Sequence, residues 1–178
     1  MKIFIIVGMP AAGKNIARLY AESQDMVYYA TGDIVRVAVK ERGLEADAVN
    51  SSEVSDELRG EDGMGVTRLA LEEVLKSGAD IGFLEGMRSW PEIELIREKA
   101  EGIVVAFLTP RNVRRERIVL RGREDDSPQA FDERDKRELA YGTAIPIALA
   151  DAYVLNTGSV DDAISQLDAI VQEETSNY

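Results

Sequence analysis

Gly8-Met9-Pro10-Ala11-Ala12-Gly13-Lys14-Asn15 is the stretch that decides how this chain folds. It follows the apolar run Ile3-Phe4-Ile5-Ile6-Val7 and opens a helical pattern with Ile16, Ala17, Leu19 and Tyr20 on its apolar face. The order is strand, glycine loop, helix. The spacing fits G-x-x-x-x-G-K-S/T except at the last position, where Asn15 replaces the hydroxyl residue. A chain of phosphates needs backbone N–H groups turned inward, glycines where the backbone comes close, and a helix N-terminus behind them. Lys14 supplies a point charge for the outer phosphates. The alternative is an ordinary glycine turn. The lysine directly after the second glycine, and the motif's place at the end of the first apolar strand, favour phosphate.

The bulk properties narrow the chemistry. At 178 residues the chain is expected to form one domain, 1–178, with an adequate core. No apolar stretch approaches the roughly 20 residues of a membrane span, and the N-terminus lacks the pattern of a signal peptide. A cytoplasmic protein with no membrane contact is the expectation. Cysteine is absent, so disulfides and thiolate metal sites are excluded. Histidine is absent too, which removes histidine bases, His-based triads and the common zinc sites. A net charge of −12 argues against direct nucleic-acid binding, which runs on Lys and Arg against phosphate. Basic residues that do cluster therefore carry information.

Strand and helix patterns alternate along the chain. Continuous apolar runs at 2–7, 81–85 and 103–108 read as buried strands, with shorter ones at 26–30 and 152–155. Helices are expected over about 13–23, 34–42, 52–58, 65–77, from Trp90-Pro91 onward, from Thr109-Pro110 to about Leu120, 130–141 and 160–173. Asn50-Ser51-Ser52 is the expected N-cap region of the 52–58 helix. Residues 31–65 read as an insert packed less well than the rest. This alternation implies an α/β fold with a parallel sheet covered by helices on both faces. Such sheets bind ligands at the carboxyl ends of their strands.

Those ends look like a site. The first strand delivers the glycine loop, and the second delivers Thr31-Gly32-Asp33 and Arg36. The third delivers Glu85-Gly86-Met87-Arg88, and the fourth delivers Thr109 followed by Arg111, Arg114, Arg115 and Arg117. The fifth delivers Asn156-Thr157-Gly158, which is also a good turn sequence in its own right. Asp33 has a second reading as the cap of a helix beginning at Ile34. Glu85 ends a buried strand, where an unpaired carboxylate is costly, so it must find a cation, a hydrogen bond or a metal-bound water. Arginines in the run 111–123 are what phosphoryl transfer needs, because charge spreads over the oxygens of the transferred group. That reaction depends on positioning and electrostatics, so it survives the absence of histidine.

Ala30-Thr31-Gly32-Asp33-Ile34-Val35-Arg36 resembles the acceptor-binding segment of adenylate kinases and related nucleoside monophosphate kinases. Glu85-Gly86-Met87-Arg88 is similar to their Asp-Gly-Phe-Pro-Arg segment, one residue shorter. Glu116-Arg117 through Asp126 resembles their lid approach, and Asp151 to Asn156 is similar to the last strand of dephospho-CoA kinases. The chain as a whole resembles an archaeal family of adenylate-kinase-related P-loop proteins. The resemblance implies a three-layer P-loop NTPase fold with a five-stranded parallel sheet in the order 2-3-1-4-5. It implies an acceptor-binding insert at 31–65 and a short lid at 122–129.

By the same resemblance Gly8, Met9, Pro10, Ala11, Ala12, Gly13, Lys14 and Asn15 would hold the phosphates of ATP, with Asn156 and Thr157 beside the adenine. Thr31, Asp33, Arg36 and Arg88 would form the acceptor site. Lys14, Arg88, Arg121 and Arg123, with Arg134 or Arg137, would act on the transferring phosphoryl. Asn15, Asp33 and Glu85 would serve Mg2+ directly or through water. The implied partners are ATP and a small phosphorylated or hydroxyl-bearing acceptor. Two other activities fit the same residues: an ATP-dependent switch or slow ATPase acting on a protein or ribonucleoprotein, and a dephospho-CoA kinase.

Overall fold

Every residue of the first strand is buried, and its side chains divide by period two between two cores. Phe4 and Ile6 enter one core, while Ile3, Ile5 and Val7 enter the other. A strand buried on both faces belongs inside a parallel sheet. In a computed structural model the protein is described at residues 1–122 and 127–176, without the Ala48 side chain. The described strands are β1 (Lys2–Val7), β2 (Val27–Ala30), β3 (Ile81–Glu85), β4 (Glu101–Leu108) and β5 (Ala152–Leu155). They form one sheet in the order β2-β3-β1-β4-β5, with every pairing parallel. The fold class expected from sequence is the one observed.

Helices cover both faces. In chain order they are α1 (Asn15–Ser23), α2 (Thr31–Glu41), α3 (Ala48–Arg59), α4 (Gly65–Lys76), α5 (Trp90–Arg97), α6 (Arg111–Arg121), α7 (Pro128–Tyr141), α8 (Ala144–Ala148) and α9 (Val160–Thr175). On one face α1 and α9 pack Ile16, Tyr20, Leu167 and Val171 against Phe4, Phe83 and Phe107. Phe83 is fully buried, stacks on Phe4 at 5.2 Å and meets the edge of Tyr20 at 6.1 Å. On the other face α4 and α5 bring Leu71, Val74, Ile93 and Ile96 against Ile3, Ile5 and Leu84. A third, small cluster of Val35, Val39, Val54 and Val66 joins α2, α3 and α4. The segment 31–65 thus packs onto α4 through a cluster smaller than the other two.

Two local expectations need correction, and one element is new. The helix after β2 begins at Thr31, with extended Ala30 at its N-cap and no side-chain cap. Asp33 therefore lies in the first turn, where an acid suits the helix dipole, and it does not cap the helix. The next helix starts at Ala48 because the Asp47 carboxylate, not the 50–52 region, accepts the N–H of Asn50 at 2.7 Å. The short α8 was not anticipated. It has only five residues with Pro146 at the third, so it carries no usable periodicity.

Truncating Phe83 to Ala should cost about 3–5 kcal/mol, because the cavity would open among the rings of Phe4, Tyr20 and Tyr28. Urea denaturation followed by circular dichroism measures it.

Candidate active site

A loop that turns its N–H groups toward a ligand must turn its carbonyls elsewhere, and those carbonyls need donors. The structure supplies them from four elements. The Asn156 side-chain amide donates to the Ala12 carbonyl at 2.8 Å, and the Thr109 hydroxyl donates to the same oxygen at 3.1 Å. Arg114 donates to the Pro10 carbonyl at 2.9 Å. Lys14 folds back over the loop and donates to the Gly8 carbonyl at 2.8 Å. Gly13 has to be glycine twice over: its φ is +93°, and a Cβ there would lie 2.0 Å from the Asn156 amide nitrogen.

Arg114 reaches the loop because Asp135 of α7 holds it. The two form a bidentate pair at 2.7 and 2.8 Å, and both residues are buried at 5 % exposure. Arg111 adds a longer contact to Asp135 at 3.4 Å. The loop is thereby tied to α6 and α7 through one largely buried charge pair.

A cleft of about 340 Å³ opens beside the loop. Gly8, Pro10 and Lys14 line it on one side, and Thr31, Arg36, Glu85 and Arg88 on the other. Arg134, Arg137 and Glu138 of α7 close it. Burial lowers the pKa of the Lys14 ammonium; Glu85 and Glu138 act against that, and Arg88 and Arg114 add to it. Glu85, half-buried at the end of β3, accepts a hydrogen bond from Tyr28 at 2.6 Å. Burial, together with Glu85, raises the pKa of Tyr28, so the phenol stays protonated and donates. Arg18 lies over the Tyr28 ring, 4.6 Å from its centroid, and pairs with Asp33. Arg36 pairs with Asp33 as well. Burial alone would raise the Asp33 pKa, but the two guanidiniums outweigh it and the carboxyl sits below its ordinary value.

The backbone around Arg88 is fixed by a buried carboxylate. Glu92 accepts the N–H groups of Arg88 and Ser89 at 2.8 Å each, and the Thr67 hydroxyl at 2.6 Å. Gly86 has φ +107°, and a Cβ there would lie 2.0 Å from the Thr31 hydroxyl. Arg88 itself pairs with Glu138 at 3.3 Å.

The site residues expected from sequence fall into two groups. Lys14, Thr31, Arg36, Glu85 and Arg88 line the same cleft, with Asp33 bound to Arg36 at its edge. Asn15 does not join them. It is exposed at the start of α1 and lines a second cleft, about 300 Å³, with Ala11, Arg117, Arg121, Asn156 and Gly158. Asn156 is 3 % exposed with its amide committed to the loop, so its side chain is a support, and the exposed Thr157 follows it in the chain. Arg123 and the centre of the expected 122–129 lid lie outside the described residues, and Pro128 already belongs to α7. Among the described residues no cluster of three or more acids could hold a metal unaided. Glu85 in the cleft and Asp33 at its edge are carboxylates of the kind that can hold the waters of a Mg2+ ion. Sequence reasoning missed Tyr28, Arg18 and Asp135, whose carboxylate or guanidinium partners lie 57, 15 and 21 residues away.

No family model matches the chain. It is 38% identical to the UPF0200 protein MJ1399 of Methanocaldococcus jannaschii, covering 99% of this chain and 92% of that one. It is 37% identical to the UPF0200 protein TK1334 of Thermococcus kodakarensis, covering 96% and 97%. Among solved structures, TT1252 from Thermus thermophilus superposes with a TM-score of 0.72 at 17% identity, over 97% of both chains. Shikimate kinase from Acinetobacter baumannii, in complex with shikimate, gives 0.59 at 16% identity, over 99% of this chain and 93% of that one. At such identities these structures establish the P-loop fold. No described helix is long and apolar enough to cross a membrane.

Two predictions follow from the geometry. Asp135→Ala should destabilise the protein by about 3–5 kcal/mol in urea denaturation, because it strands a buried guanidinium. Pairing it with Arg114→Met should recover most of that loss. The Asp33 contribution has a definite sign in pH. Its folded pKa is depressed, so its stabilisation is present above the ordinary value of 3.8 and is lost as pH falls through the lower folded value. The melting temperatures of the protein and of Asp33→Asn should differ at neutral pH and converge below that value.

Proposed function

The chain belongs to the UPF0200 family, and we propose that it is a kinase that transfers the γ-phosphoryl of ATP to a small phosphorylated or hydroxyl-bearing acceptor. The observation that carries this reading is the meeting of the glycine loop with an arginine-lined cleft across Lys14, Glu85 and Arg88. A protein that only hydrolysed ATP would need no second, cationic chamber beyond the phosphates. The fold of shikimate kinase in a superposable structure, itself a phosphotransferase by name, agrees with the reading.

Residues 8–14 hold the phosphate chain, and Lys14 leaves the carbonyl of Gly8 for the outer phosphates. The charge of the nucleotide offsets the burial that weakens the ammonium. Asn15, Arg117 and Thr157 lie toward the nucleoside. Thr31, Arg36 and Arg88 hold the acceptor, and Arg88 with Arg134 of α7 stabilises charge on the transferring group. Arg121 takes the nucleotide side of the loop. Asp33 and Glu85 would hold waters of a Mg2+ ion, which supplies charge neutralisation on the phosphates. Tyr28 fixes the orientation of Glu85.

Lys14→Ala should weaken binding of a Mg2+-bound non-hydrolysable ATP analogue at least tenfold in calorimetry. Unchanged affinity would overturn the assignment of the loop. Arg88→Ala should cut acceptor-dependent ADP formation about a hundredfold, the loss typical of a preorganised charge partner.

A further inference from the structure

The acceptor chamber has a chemical character of its own. Beyond Arg36 and Arg88 the cleft continues into a space of about 320 Å³ between α2, α3 and α7. Its α3 wall presents Ser51, Ser52, Ser55, Asp56 and Arg59, and Arg137 of α7 also lines it. Arg36 and Arg88 already have carboxylate partners in Asp33 and Glu138. Arg59 and Arg137 have none among the described residues, and neither has Asp56 a cation. Two guanidiniums without acids match a dianion such as a phosphate monoester. Three hydroxyls and a free carboxylate match neighbouring alcohol groups, which donate to the carboxylate and exchange hydrogen bonds with serine.

A nucleobase would find little here. Ring-binding pockets are lined mainly by apolar and aromatic side chains. Val35 and Val66 are the aliphatic side chains of this wall, and they are 8 % and 3 % exposed. The Tyr141 ring is taken: the guanidiniums of Arg59 and Arg88 lie 5.2 and 5.0 Å from its centroid.

Resting on the kinase reading above, we propose that the acceptor is a small phosphorylated polyol, a sugar phosphate in type, with its phosphate at Arg59 and Arg137 and its hydroxyls along Ser51, Ser52 and Asp56. A free hydroxyl of that acceptor attacks near Lys14 and Arg88. Its oxygen bonds to the γ-phosphorus while the bond from phosphorus to the β–γ bridging oxygen breaks. That electron pair leaves on ADP, and the hydroxyl proton passes to solvent. The product is a polyol carrying two phosphates.

The test is calorimetry on the full chain, first with a Mg2+-bound non-hydrolysable ATP analogue. Ribose 5-phosphate, glucose 6-phosphate, AMP, CMP, UMP and dephospho-CoA are then titrated into the loaded protein. A sugar phosphate should bind at least tenfold more tightly than any of the four nucleotides. Asp56→Ala and Arg59→Ala should each weaken it at least fivefold, with thermal unfolding monitored to show that both variants fold. If the analogue binds but a nucleotide is preferred, or neither sugar phosphate binds, the inference fails and the kinase reading stands. If the analogue itself does not bind, the kinase reading fails and takes the inference with it.

Discussion

The phosphate loop is held by what happens to its carbonyls. Residues 8–13 can aim N–H groups at a ligand only while the opposite faces of their peptides are satisfied. Ala12 takes two donors, from Asn156 and Thr109, and Pro10 takes one from Arg114. These donors come from the ends of β4 and β5 and from α6, so the loop is suspended from three elements besides its own strand and helix. Arg114 is the costly member, because a buried guanidinium is tolerable only with Asp135 beside it. Lys14 differs from the other donors. Its bond to Gly8 runs within the loop and ties it to no other element.

The loop also divides the surface. On one side lies the cleft with Lys14, Glu85 and Arg88; on the other lies the cleft with Asn15, Arg117 and Asn156. A protein of net charge −12 concentrates guanidiniums around both. Its overall field repels anions, so attraction must be local, acting within the roughly 8 Å Debye length of physiological salt. Several of those guanidiniums are already held: Asp33 binds Arg18 and Arg36, and Glu138 binds Arg88. Such pairing fixes long side chains before a ligand arrives and lowers the entropy lost on binding.

Much of this was legible in the sequence, for a physical reason. The glycine loop, the strand ends and the alternation of elements are local signals, carried by backbone demands and by apolar period. Glu85 was marked as needing a partner because it ends a buried strand, but the partner, Tyr28, could not be named. Tyr28 lies 57 residues away on a different strand, and an aromatic in a strand ordinarily means packing. The Arg114–Asp135 pair was hidden in the same way: an arginine within a basic run and an aspartate on a polar helix both read as solvated. Asn156 was placed beside the base by resemblance, whereas its amide lies under the loop. Nothing within residues 44–63 announced the wall of a cleft, since Ser51, Ser52 and Asp56 meet Arg137 and Tyr141 of α7 only in the fold.

The bond from Asn156 to Ala12 spans 144 residues of chain. Its consequence is temporal. During synthesis the first strand and the glycine loop emerge together at the start of the chain, but the Asn156 donor arrives only after the last strand of the sheet. A growing chain therefore carries its phosphate motif for most of its synthesis in an unformed state, because long-range closure comes late and is slow. Closure of the loop and completion of the sheet become one event, so the loop takes its final shape only in a finished chain.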